Sequence, residues 1–226
     1  MSPKAKSVPT LMIQGTKNKM IDKKEQKNIR KNKLGIFIDG ANMYYASKQA
    51  GWKLDIGKVK KLFGSIFEIT VFNYYAALPD KTDKSYLESY KYLNVIEKFA
   101  KVITKPLKYI NGDKKGNVDI EITLDIVRNL SNLDEIMIFT GDSDYFELWK
   151  YVFVEKGKKI RFASFKGNLA FELKKTKYLI LEKIREFIEL NEKKNTPDLS
   201  AGRTSVLAII DDDSLLSSGD VDKKKK

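Results

Sequence analysis

The sequence contains no cysteine and no histidine. Without cysteine there can be no disulfide, no thiolate zinc site and no thiol nucleophile, and the lack of cystines fits a reducing compartment. Without histidine the commonest general base is gone, and with it the Ser-His-Asp relay, the HExxH zinc site and histidine phosphotransfer. Chemistry in this chain has to run on carboxylates, amines, hydroxyls, amides or a bound metal. Long apolar runs are missing too. None approaches the roughly 18 residues that span a bilayer, and the Lys-rich start has no continuous apolar stretch of the signal-peptide type. The expectation is a soluble, cytoplasmic protein.

What the chain has in excess is positive charge: 43 Lys and Arg against 30 Asp and Glu, a formal net charge of +13. Residues 1–33 hold ten basic side chains against two acidic ones, residues 34–195 hold 28 against 22, and residues 196–226 hold five against six. A basic surface with a basic arm attracts polyanions by releasing their counterions. Nucleic acid is therefore the first partner class and an anionic membrane surface the second; a solubilising lysine-rich surface is the bland alternative.

With 226 residues, 42% of them hydrophobic, the chain has enough for one well-buried domain plus tails. Residues 1–33 mix Lys, Asn, Ser and Pro without a periodic face and read as a basic disordered tail. Residues 34–195 form the folded domain. Residues 196–226 read as a disordered C-terminal tail, with Val206 to Ile210 as its one apolar patch.

Within the domain, Leu34 to Ile38 is a short apolar run ending at Asp39-Gly40, the pattern of a buried strand emptying into a loop. Helices are predicted over 42–50, stopping at Gly51, and over 56–67, with Asp55 as N-cap. A strand follows at Ile69 to Leu78, then a long amphipathic helix over 83–101 and a strand at 102–109. Residues 112–117 are predicted as a loop. Asp119 opens a helix to 130, Ile136 to Phe139 is a buried strand, and Tyr145 to Glu155 is helical. Lys159 to Ser164 is predicted as the last strand and 180–193 as a terminal helix. Strands alternating with helices specify βαβ units and a mostly parallel sheet covered on both faces, an α/β fold.

In open α/β sheets, ligands bind beyond the carboxyl ends of the strands, and two acidic motifs fall there. Ile38-Asp39-Gly40-Ala41-Asn42 follows the first strand, and Thr140-Gly141-Asp142-Ser143-Asp144 follows the strand of 136–139. Asp119 arrives from a third direction. For Asp119 or Asp144 alone, capping of a helix N-terminus is the competing explanation. Together they repel one another unless a cation sits among them, and oxygen ligands without His or Cys favour Mg²⁺ or Mn²⁺ over zinc. Asp125, six residues after Asp119, points about 240° away round the helix and is a weak candidate.

The segments FIDGAN (37–42), KGNVDIEITLDIV (115–127) and TGDSDYFEL (140–148) resemble the NYN domain, in its LabA-like (DUF88) branch, within the PIN-like nuclease superfamily. The resemblance covers about residues 34–190. It implies a PIN-like three-layer α/β/α sandwich with a central, mostly parallel sheet, and an acidic pocket that binds Mg²⁺ or Mn²⁺ for hydrolysis of RNA phosphodiesters. The family's metal-site aspartates correspond to Asp39, Asp119, Asp142 and Asp144, and Asn42 to the Asn closing the first motif. Thr140 and Tyr145 replace the family's usual Ser and Phe, Asn117 is inserted before Asp119, and Lys177 stands where many relatives have an Asp.

Asn42 and Ser143 are placed to orient a water or a phosphate oxygen. Lys114, Lys115 and Lys166 are candidate phosphate contacts, with Lys48 and Arg128 behind them. Tyr44, Tyr45, Tyr74 and Tyr75 are candidates for stacking on bases, half of them expected in the core. The expected activity is a metal-dependent ribonuclease acting on single-stranded or structured RNA, with no membrane partner and an oligomeric state left open, a homodimer included. The alternative is an RNA-binding regulator that keeps the fold and cuts slowly or not at all. A phosphatase of the haloacid dehalogenase type would need an Asp two residues after Asp39, where the chain has Ala41; a DNA nuclease would share the same metal chemistry.

Overall fold

The computed structural model describes residues 31–110, 113–191 and 199–210. The basic arm up to residue 30 and the end of the chain beyond 210 lie outside the described residues. The elements run β1 (Lys33–Asp39), α1 (Gly40–Ala50), α2 (Ile56–Ile66), β2 (Glu68–Leu78), α3 (Tyr86–Ile96), β3 (Lys101–Pro106), β4 (Lys108–Ile110), β5 (Asp113–Lys115), α4 (Asp119–Asn129), β6 (Glu135–Phe139), α5 (Phe146–Trp149), β7 (Lys159–Ser164), β8 (Tyr178–Ile180), α6 (Arg185–Ile188) and α7 (Leu199–Ile210).

Six strands form one parallel sheet in the order β3-β2-β1-β6-β7-β8, while β4 and β5 pair antiparallel as a separate ribbon. Alternation along each strand sends successive side chains to opposite faces. Leu34, Ile36 and Ile38 of β1 join Met137 and Phe139 of β6 in a core roofed by α1, α2, α3, α6 and α7. Phe37, Ile136 and Ile138 face the other way, into a core closed by α4 and α5. The result is the three-layer sandwich that the alternation of strands and helices predicts. The chain winds outward from β1 to β3, returns to β6 beside β1, and winds outward again to β8. The reversal lies between β1 and β6, where a crevice opens at the carboxyl ends of the strands.

Several elements differ from expectation. β3 ends at Pro106, and the predicted loop of 112–117 instead includes β5. The segment after Asp144 is a 3₁₀ turn, the short α5 and a π-helical stretch over Lys150–Glu155 rather than one α-helix. β8 is a further strand where the start of a terminal helix is predicted, and only Arg185–Ile188 of that region is α-helical. The C-terminal segment contains α7, whose Val206 is fully buried against the same core as Phe187 and Leu62. Val206 and Gly202 of α7 thus pack on the chain's own α2–α6 side.

At the opposite end of the sheet from the crevice, Glu135 of β6 and Arg161 of β7 form a buried ion pair through the Arg Nε. Removing Arg161 leaves the Glu135 carboxylate buried without its counter-charge, which costs about 3–5 kcal/mol. Arg161→Met is expected to lower unfolding stability by about that amount, with part of the loss recovered in Glu135→Leu/Arg161→Met, as read from urea denaturation midpoints.

Candidate metal centre at the sheet reversal

Register brings the two motifs together. Ile38 lies opposite Phe139 in the β1–β6 ladder, so Asp39 and the 140–144 turn leave the sheet side by side. Asp39 caps α1, its Oδ1 accepting from Asn42 N at 3.0 Å. Asp142 repeats the device on the next turn, its Oδ1 accepting from Asp144 N at 3.0 Å. Asp119 is the first residue of α4; its own N–H donates to Asn117 Oδ1 at 2.8 Å, and its Oδ1 accepts from Tyr145 Oη at 2.9 Å. The inserted Asn117 is therefore an anchor for the start of α4. It leaves Asp119 in the crevice.

Asp119, Asp142 and Asp144 each place a carboxylate oxygen within 4.8 Å of the others. Asp39 stands beside this triad as its buried neighbour, only 5% exposed. Loss of hydration raises the Asp39 pKa to about 6, and the charges of Asp119 and Asp142 push in the same direction against the opposing Asn42 N–H. The Tyr145 hydroxyl, buried among the same acids, is held far above its ordinary pKa by desolvation first and by those charges second, so it is a fixed donor. Among the described residues, no Lys or Arg ion-pairs with any of the four aspartates. Acids at such spacing repel by about 1–3 kcal/mol per pair, least where Asp144 is exposed, and an all-oxygen donor set suits a hard divalent cation.

Asn42 ties the two turns together and is joined there by Asn168, a residue that the sequence did not single out. Asn42 Oδ1 accepts from Gly141 N at 3.0 Å and from Asn168 Nδ2 at 2.8 Å. Asn168 lies in a Lys-Gly-Asn turn four residues past the end of β7, much as Asn42 lies three residues past the end of β1; that position was its only signal. Gly141 is required by closeness, since a Cβ there would lie 2.1 Å from the Asn168 carbonyl oxygen.

The other candidates divide. Ser143 lies between two of the acids, half-buried, with no hydroxyl partner among the described residues. Lys166 is exposed just past the end of β7, at the correct edge of the sheet. Lys114 and Lys115 lie on β5 rather than in a loop, and the ribbon leads through Gly116 to Asp119. Arg128 is nine residues along α4 from Asp119, about 14 Å away at helical rise, and pairs with Asp125 at 3.6 Å. It does not flank the crevice. Lys48, in the last turn of α1, lies over the Tyr44 ring at 4.6 Å. Asp125 points away from the site as expected and accepts from Tyr75 Oη at 2.8 Å. Tyr74 and Tyr75 are both in the core, one in each layer, because both faces of the sheet are covered; Tyr44 and Tyr45 are exposed.

A parallel sheet with this winding and an acidic crevice at its reversal is a PIN-like architecture, and residues 33–190 match the model of the NYN domain. The chain belongs to the NYN domain family. It is similar to the protein LabA ("low amplitude and bright") of Synechococcus elongatus, with 34% identity over 175 residues covering 73% of this chain and 91% of that protein. Its fold is shared by a crystal structure of a protein of unknown function from Vibrio parahaemolyticus, at TM-score 0.59 and 20% identity, covering 68% of this chain and 94% of that one. No helix among the described residues is long and apolar enough to cross a membrane.

The Asp39 carboxyl has a pH signature. Its folded pKa of about 6 lies above the ordinary value of 3.8, so the acid form is favoured in the fold. The stability this contributes is complete below pH 3.8 and is lost as pH rises through about 6, a change of about 3 kcal/mol. Asp39→Asn keeps the cap and removes the charge. Thermal melts in EDTA at pH 8 are expected to show the variant more stable than the parent, with the gap closing below pH 5.

Proposed function

We propose that this protein is a metal-dependent ribonuclease that hydrolyses RNA phosphodiester bonds at the acidic crevice. The observation that carries this reading is the triad of Asp119, Asp142 and Asp144, closed within 4.8 Å and unpaired by any described cation, in an NYN domain. Asp119, Asp142 and Asp144 would hold Mg²⁺ or Mn²⁺, with Asp39 reinforcing the field from its buried position. When bound, such a cation supplies charge stabilisation at the scissile phosphate and lowers the pKa of a coordinated water, work for which no histidine is needed.

The protein's own groups divide the remaining tasks. Asp39 and Asp142 each commit an oxygen to capping, which fixes the direction of the carboxylate. Tyr145 fixes Asp119 by its hydroxyl. Asn42, with Oδ1 engaged by Gly141 and Asn168, positions the two turns relative to one another. The Ser143 hydroxyl would hold a phosphate oxygen and Lys166 would balance phosphate charge at the rim, with Lys114 and Lys115 as further phosphate contacts.

The test is incubation of the full chain with labelled single-stranded RNA and matched DNA in Mn²⁺, Mg²⁺ or EDTA, beside Asp142→Asn. Metal-dependent cutting of RNA by the parent alone supports the proposal; RNA that is bound but never cut hands the site to a regulator. Because Asn42 and Asn168 act through the acids, Asn168→Ala is expected to lower kcat or metal affinity by about 10–100-fold while the protein stays folded. Single-turnover cleavage across a Mn²⁺ titration separates the two effects.

A further inference from the structure

A cavity of about 570 Å³ opens at the same edge of the sheet, between the ends of β2 and β3, with Leu78, Pro79, Tyr86, Pro106, Leu107 and Tyr109 in its walls. The size is that of a small-ligand pocket, typically about 300–1,000 Å³. Its turn is braced internally. Asp80 Oδ1 accepts from Thr82 N at 2.9 Å and Thr82 Oγ1 at 2.7 Å, and Asp83 Oδ1 accepts from Ser85 N at 2.9 Å and Ser85 Oγ at 2.8 Å. Tyr109 stands at the rim, 48% exposed, yet its hydroxyl is tethered on both sides, accepting from Asp80 N at 3.0 Å and donating to Asp83 Oδ2 at 2.9 Å. An exposed ring held by its own hydroxyl offers a flat apolar face that loses little freedom when something stacks on it. Tyr86, itself stacked on Tyr90 at 5.8 Å, adds a second ring.

The cavity shares a wall with the acidic crevice. Lys105, one of its lining residues, donates from Nζ to the Asn117 carbonyl at 3.0 Å and pairs with Glu121 at 2.8 Å. Gly116 is packed so closely on this wall that a Cβ would lie 2.2 Å from Ala77 Cβ and 2.5 Å from Leu107 Cδ2. The 116–119 segment that delivers Asp119 is therefore built onto the back of the cavity.

We propose that this cavity binds an unpaired base of the RNA strand adjacent to the phosphate held at the acidic crevice, an inference that rests on the ribonuclease reading. Its lining favours a base: Asp80 and Asp83 are matched by Lys81 and Lys105, so the walls carry no net positive charge to draw a second phosphate, while the prolines, leucines and tyrosines accept the faces of a heterocycle. Bases in a duplex are already stacked and paired, so the site requires single-stranded RNA.

The experiment is fluorescence anisotropy in EDTA, with the full chain and a labelled oligoribonucleotide in single-stranded and duplex form. Tyr109→Ala is expected to weaken single-strand binding about tenfold, within the roughly 1–3 kcal/mol that stacking on one aromatic contributes, and to leave duplex binding unaltered. Tyr109→Phe keeps the ring and is expected to bind nearly as the parent does. An Ala variant that binds like the parent, or a Phe variant that loses as much as Ala, overturns the inference. If the parent cuts RNA while the Tyr109 variants bind normally, only the cavity assignment falls; if the parent binds no RNA in either form, the ribonuclease reading falls with it.

Discussion

Mutual repulsion among carboxylates is the constraint around which the rest of this fold is arranged. Three acids within 4.8 Å, with a fourth buried beside them, would spread apart on a flexible loop. Here three of the four are fixed by a neutral donor. A backbone N–H holds Asp39, another holds Asp142, and a buried tyrosine hydroxyl holds Asp119. None of these donors cancels charge as an arginine would. The acids are thus oriented and still electrostatically unsatisfied, which makes the crevice attractive to a cation without reorganisation on binding.

That arrangement depends on the winding of the sheet. Because the chain passes outward from β1 on one side and from β6 on the other, the turns after these adjacent strands part to opposite faces and leave the opening between them. The cross-tie through Asn42, Gly141 and Asn168 joins the turns after β1, β6 and β7, so three adjacent strand ends act as one rigid edge. The bare glycine at 141 allows the third turn to approach.

What the sequence disclosed follows from the same physics. Buried parallel strands are continuous apolar runs, so Leu34–Ile38 and Ile136–Phe139 were legible, and an acid directly after such a run lies at the ligand-binding edge. β8 was not legible, because Ile180, Leu181, Ile184, Phe187 and Ile188 fit helical spacing when a three-residue strand is fused to the turns that follow. Which two of the four tyrosines are core follows from the same reading: alternation puts Tyr74 and Tyr75 on opposite faces, both faces of the sheet are covered, and both rings are buried while Tyr44 and Tyr45 are exposed. α7 was missed because it follows a Pro- and Asp-containing stretch and precedes a polar end; what holds it is tertiary, with Gly202 packed on Phe187 and Leu62 and Val206 buried in the core. Asn168 meets a partner 126 residues away, and no local pattern carries such a contact.

The charge distribution divides affinity from chemistry. The chain as a whole is at +13, which draws a polyanion toward it, while the crevice is a concentrated patch of negative charge that repels phosphate locally. A nucleic-acid strand therefore gains little from the four aspartates until a cation neutralises them, and must be held by surfaces on either side. Those surfaces need not be cationic. In the role proposed for it, the aromatic cavity on the wall that supports Asp119 would contribute binding energy insensitive to the charge of the crevice. In the proposed division of labour, binding would persist when the metal is absent, and a strand would already be in place at the acidic edge when the metal arrives.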